Sequence, residues 1–265
     1  MNNNAQQIIH IKQAKGEYIM AAKSDISEKA AFEKAHNEAK LEAMRKAGVA
    51  ENISSSDILT TNQSGSNFKQ DLSSILSVEI NGAVVNDSIV DEKKIVDEYG
   101  TKYYVTINAD VIKYETKADP SFIFKVEGVK EYYENDNLMR FSFLPFSDGY
   151  LKIFNINDNE NFMVYPYFDK KGSMLNDTLN RLFRANVKLQ FPLNKLMGNP
   201  TTREDGYMLY TELPRENNYL IFVFTKDNIP YIGNYTYKDV ISWIYRISPD
   251  RRRVQFLDFV IVNKK

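Results

Sequence analysis

Apolar positions follow two different rhythms along the chain, and the change between them divides it. Between residues 28 and 49, EKAAFEKAHNEAKLEAMRKAGV sets Ala31, Ala35, Ala39, Ala43 and Ala47 four residues apart. That spacing predicts one helix from about Ser27 to Ala47, roughly 30 Å long. Asp25 and Glu28 have capping-box spacing, and Gly48 supplies a left-handed stop. The alanines drift by about 40° per step and form, with Phe32 and His36, one broad face of mostly small side chains. Glu33, Lys34, Glu38 and Arg45 read as the solvated side, with Glu42 and Lys46 at a favourable i,i+4 spacing.

Around this helix the period is two. IIHIKQAKGEYIMAA (8–22) reads as a strand, LSVEI (76–80) as a short one and KYYVTINADVI (102–112) as a long one. The last opposes Tyr103, Val105, Ile107, Ala109 and Val111 to Tyr104, Thr106, Asn108 and Asp110, so one face wants cover. EYGT (98–101) turns a hairpin between KKIVDEY and the Tyr103 strand, with Gly100 in the special conformation. The alanine row then lets a long helix lie closely on an antiparallel sheet; the competing reading is a helix face reserved for another subunit.

A polar stretch ending in Pro120, TKADPS (116–121), marks the boundary. Beyond it come the short runs SFIFKVEG, LMRFSFLPF, GYLKIFNI, NFMVYPYF, ANVKLQFP, NYLIFVFT and RVQFLDFVIV, separated by Gly, Pro, Asn and Asp. This is the pattern of a sandwich or barrel. One helix interrupts it: Thr236 and Asp239 have capping-box spacing, Val240, Trp243, Ile244 and Ile247 recur on one face, and Pro249 ends it. The single tryptophan is therefore expected in the core. The fold class expected is an α+β N-terminal domain over residues 1–116, a long Ala-rich helix on an antiparallel sheet. A mainly antiparallel β-sandwich domain with one short helix follows over residues 122–265.

Composition narrows the function classes. With 34 basic and 35 acidic residues the chain carries no global field to hold nucleic acid or an anionic membrane. The absence of cysteine removes disulfides, thiolate nucleophiles and cysteine-ligated zinc. The longest apolar run, YLIFVF (219–224), is strand-length, so no transmembrane segment is expected. The opening MNNNAQQIIHI lacks the basic and apolar regions of a secretory signal, which leaves a cytoplasmic protein or a mature form whose leader was replaced.

Candidate chemistry is sparse. His10 and His36 are the only histidines, one in a strand and one on the small-residue helix face, where a half-buried, hydrogen-bonded role is expected. GxSxG, GxxxxGK[ST], HExxH and GxGxxG are missing. The loops YYENDN (132–137) and NINDNEN (155–161) are rich in oxygen ligands but do not keep the EF-hand order, and they read as solvated turns. Arg251, Arg252 and Arg253 form a short basic run without a wider basic surface. No spacing selects a catalytic carboxylate pair. The chain thus offers no catalytic, cofactor-binding or metal-ligating residues, and a non-enzyme without cofactor is expected.

Two resemblances add to this reading. The alanine-rich helix ending RKAGV, the Ser-rich loop after it and the strands ending YYVTINADVI resemble the N-terminal domain shared by the flagellar H-ring assembly protein T and the small outer-membrane lipoprotein 20 group, over roughly residues 15–115. Residues 122–265 resemble the domain-of-unknown-function family 4384 through LMRFSFLPFSDGYLKIFNI, VYPY, KLQFP, NYLIFVFTK and ISWIYRISPDRRRVQFLDFVIV. The resemblance implies a two-domain accessory, binding or scaffold protein of the cell envelope, periplasmic or outer-membrane associated. Its partner would be another protein or a homo-oligomer, and no catalytic residues carry over. This chain departs from the lipoprotein pattern by lacking a leader and an acylatable cysteine. The alternative function is a carboxylate-dependent enzyme acting on glycans in a β-sandwich groove, its 17 tyrosines supplying stacking platforms.

Overall fold

Alternation and small-residue spacing each produce an element of the kind they predict. The computed structural model describes residues 8–22, 27–49, 82–157, 160–166, 181–193, 202–203 and 206–264. Its sheets are almost wholly antiparallel, and among the described residues two α-helices accompany them. The chain separates into two compact units. Unit 1 is Met1–Lys117 with Ser242–Pro249, and unit 2 is Ala118–Ile241 with Asp250–Lys265. The chain first passes from unit 1 to unit 2 after Lys117, and the return of Ser242–Pro249 to unit 1 has no local signature in the sequence.

Unit 1 contains β1 (Ile8–Ala21), α1 (Glu28–Lys46), β2 (Gly82–Asp97) and β3 (Gly100–Tyr114). The strands form one antiparallel sheet in the order β1-β3-β2. Tyr103, Val105, Ile107, Ala109 and Val111 are all buried on one face of β3, and α1 lies over that face, mainly against β1 and β3. Ala31, Ala35, Ala39 and Ala43 are buried in this contact, while Ala47 is half-buried. The approach is close because β1 carries Gly16 where the two elements cross. A Cβ built there would lie 1.8 Å from the Ala39 carbonyl oxygen. Small side chains are thus required on both elements, since no rotamer change can move a backbone carbonyl.

Several local expectations change. The helix N-cap is Ser27, whose side chain accepts from the Ala30 N–H; Asp25 lies outside the described residues. Glu38, assigned to the solvated side, is buried. The strand before the hairpin runs back to Gly82 rather than beginning at Lys93, and Gly100 takes φ 114° at the turn. LSVEI lies outside the described residues.

Unit 2 contains β4 (Phe124–Glu127), β5 (Tyr132–Glu134), β6 (Leu138–Met139), β7 (Phe141–Pro145), β8 (Tyr150–Asn157), β9 (Phe162–Tyr165), β10 (Leu189–Phe191), β11 (Thr202–Arg203), β12 (Gly206–Met208), β13 (Arg215–Thr225) and β14 (Arg252–Val262). The largest sheet has the order β5-β14-β13-β8-β9, and its β5–β14 pairing is parallel. Among the described residues the unit also holds two three-stranded sheets, β10-β7-β4 and β11-β12-β6. Phe222 and Phe224 of β13 meet Phe141 and Phe143 of β7 edge to face at 5.5 and 5.4 Å, so rings lock the first two sheets together. Phe122, Phe183, Phe191 and Tyr165 fill the same core.

α2 (Tyr237–Tyr245) starts at the predicted cap, with the Asp239 N–H donating to Thr236 Oγ1. Val240 and Ile244 are buried but Trp243 is only half-buried, which corrects its assignment to the core. Among the described residues no helix is long and apolar enough to cross a membrane.

Candidate functional site

Several exposed apolar side chains of unit 1 lie on an edge strand. β2 ends the sheet, and among the described residues no strand pairs with its outer side. Ile89, Val90 and Val96 are 49%, 57% and 71% exposed. The pairing of β2 with β3 shifts between Val84 and Asn86 and again between Ile89 and Asp91, so Asp91–Asp97 is its longest regular stretch. That stretch opens with Asp91, Glu92, Lys93 and Lys94. Lys93 Nζ bonds Asp91 at 3.0 Å and lies 4.7 Å from the Tyr104 ring centroid, while Lys94 bonds Glu28 at 2.7 Å. These are exposed contacts, cheap to exchange for others.

His36 is half-buried, as its place on the small-residue face implies. Its Nε2 lies 2.6 Å from Asp87 Oδ2, and Lys40 Nζ is 2.8 Å from the other oxygen. Burial alone would raise the Asp87 pKa, but the Lys40 bond and charge, with a smaller part from His36, outweigh it and hold the carboxyl below its ordinary value. The arrangement pins α1 to β2. His10 is exposed on β1.

Unit 2 holds a buried polar nest where the core side of its main sheet ends. Asn155 and Asn157 on β8 share a face with Glu216 and Asn218 on β13, and register sets Asn157 opposite Asn218. Asn155 and Asn157 both donate to Asn218 Oδ1, at 2.8 and 3.2 Å, and Asn218 donates to Glu216 Oε1 at 3.0 Å. The Thr211 hydroxyl donates to the other carboxylate oxygen at 3.2 Å, and the Thr211 backbone exchanges bonds with the Asn135 side chain. Mutual bonding offsets most of the cost of burying these groups. Asn155 Oδ1 is buried and has no partner among the described residues. Phe162, exposed on β9, lies directly across from Asn155.

The nest joins two segments that sequence reasoning kept apart as solvated turns, YYENDN through Asn135 and NINDNEN through Asn155 and Asn157. No local signal could have linked them, because the connection runs through Thr211 and Glu216. Arg251, from the basic run, pairs with Asp227 in unit 2. On the other face of β8, Lys152 is 2% exposed, and burial pushes its pKa down to about 8. Among the described residues no group of three His, Asp or Glu side chains is placed to hold a metal ion. No protein-family model, curated protein or solved structure matches the chain.

Proposed function

We propose that the protein works by contact rather than by turnover, as an accessory, binding or scaffold component of the bacterial cell envelope. The observation that carries this reading is the edge of β2. It is a long strand whose outer side pairs with no strand among the described residues and which carries the exposed side chains of Ile89, Val90 and Val96, a template for another chain. The resemblance of residues 15–115 to envelope assembly domains supports the compartment, and that of residues 122–265 supports a second, sandwich-type domain. In this reading unit 1 supports assembly and the exposed aromatics of unit 2, Tyr132, Phe146, Phe162 and Tyr210, extend the contact surface. Fractionation of cells expressing the native gene, followed by crosslinking, tests it. Recovery in the envelope fraction bound to a protein is the expected outcome; recovery only in the cytoplasm overturns the compartment.

A carboxylate-dependent glycan enzyme is the second reading, and Glu216 favours it. It is the one buried carboxylate of unit 2 among the described residues, set beside the open acceptor of Asn155 and the exposed ring of Phe162. Such chemistry needs a second carboxylate about 5 to 10 Å away. Glycan hydrolysis by the purified chain, abolished by Glu216→Gln, would establish this reading and displace the first.

A further inference from the structure

Reversed end for end, the outer strand β2 becomes its own charge complement. Residues 89–96, IVDEKKIV, run apolar, apolar, acid, acid, base, base, apolar, apolar. Reversed, the order becomes apolar, apolar, base, base, acid, acid, apolar, apolar. The acidic half of this pattern complements the basic half, so a second copy run antiparallel can set acids against bases. We propose that two copies of this chain pair antiparallel through β2, centred on Glu92 and Lys93, joining their sheets in the order β1-β3-β2-β2-β3-β1. This deepens the contact reading above and rests on it.

The register of the sheet supplies the geometry. Asp91, Lys93 and Ile95 pair with Thr106, Tyr104 and Lys102 of β3, whereas Glu92, Lys94 and Val96 pair with Val105, Tyr103 and Thr101. Opposite residues share a face, so Glu92, Lys94 and Val96 lie on the face that α1 covers and Asp91, Lys93 and Ile95 on the other. A two-fold axis normal to the sheet preserves faces. Placed at Lys93, it sets Glu92 across from Lys94 of the copy, twice; placed at Glu92, it sets Asp91 across from Lys93, twice. Either way the like-charged pair on the axis has opposite charges as its diagonal neighbours on both sides.

The same charges answer the objection that lysines and bulges blunt edge strands. A foreign strand meets two acids and two bases in a fixed order and is rejected unless it carries the complement. The present partners of Lys93 and Lys94, Asp91 and Glu28, are exposed on both sides, so exchanging them for the copy's carboxylates costs little. With the axis at Lys93, Val96 of each copy lies near Val90 of the other at the two ends of the charged centre, and both lose exposure.

Charge reversal tests this on the full chain by sedimentation over a range of concentrations. The wild-type chain is expected to dimerise. The double variant K93E/K94E and the double variant D91K/E92K are each expected to weaken the dimer by more than about tenfold, and mixing the two variants is expected to restore it as a heterodimer. The chain has no cysteine, so Lys93→Cys gives a probe that stays valid if a reversed variant folds poorly. Under oxidation it should form a disulfide-linked dimer if Lys93 lies on the axis, Glu92→Cys should do so if Glu92 does, and Glu33→Cys on the exposed side of α1 should not. A wild-type monomer at every concentration, or a dimer indifferent to both reversals, overturns the proposal. If the chain is a monomer while a crosslinker at Val96 captures a different protein in cells, self-pairing fails and the contact reading stands.

Discussion

At position 16 a single methyl group has nowhere to go. The nearest atom to its place is a backbone carbonyl of α1, so Gly16→Ala must push the helix off the sheet. We expect a loss of at least about 3 kcal/mol in chemical denaturation, the upper end of overpacking costs. Ala39→Leu, whose longer side chain has some choice of rotamer, should cost roughly 1 to 3 kcal/mol. A neutral effect for both would remove the close helix–sheet contact. The alanines announced themselves by their spacing, but Gly16 did not, because its role depends on what crosses it from the other element. Lys152 is a second such case: nothing in YLKIFNI says that a lysine will be buried. Its pKa of about 8 lies below the ordinary 10.5, so the unfolded chain holds the proton more tightly. Below pH 8 both states carry the charge and the full cost, about 3 kcal/mol, is present. As pH rises from about 8 to 10.5 that cost should disappear. The difference in stability between the wild type and Lys152→Met, measured by denaturation across that range, should shrink accordingly; a constant difference would mean that the lysine is not buried as a charge.

Among the elements, α1 is held by more than its small-residue face. The depressed Asp87 pKa places stability in the folded state above about pH 3.8, to be lost as pH falls through the lower folded value. Asp87→Asn should therefore cost roughly 1 to 3 kcal/mol near neutral pH. It should also flatten the acid limb of the melting-temperature profile; an unchanged limb would assign the acid sensitivity elsewhere. The existence of α1, β1, β3 and the β2–β3 hairpin was legible because each rests on a local period or turn. The cap was misplaced by two residues because Asp25 and Ser27 both precede the helix, and Glu38 was misjudged because a stripe of alanines does not reveal how far burial extends around the helix. The polar nest of unit 2 was legible only as separate Asn-rich loops, since strand register, which no local pattern fixes, brings Asn155, Asn157, Glu216 and Asn218 together.

The whole molecule is threaded rather than strung. Unit 1 ends at Lys117 and is completed by Ser242–Pro249, where the Arg246 carbonyl accepts from the Tyr114 hydroxyl and Ser248 Oγ lies 2.8 Å from Thr116 Oγ1. Limited proteolysis should cut first between Thr116 and Ser121, where exposed Pro120 and Ser121 follow the last strand of unit 1. The two fragments should nonetheless elute together under native conditions, because the second carries a piece of unit 1. Separation on cutting would mean that this piece adds nothing. The contact reading itself is tested most directly in cells, with a photo-crosslinking residue at Val96 on the β2 edge and a control at Glu33 on α1. An adduct with a protein of the envelope fraction from position 96 and none from position 33 is the predicted result; no adduct from position 96, or equal capture from both, would contradict it.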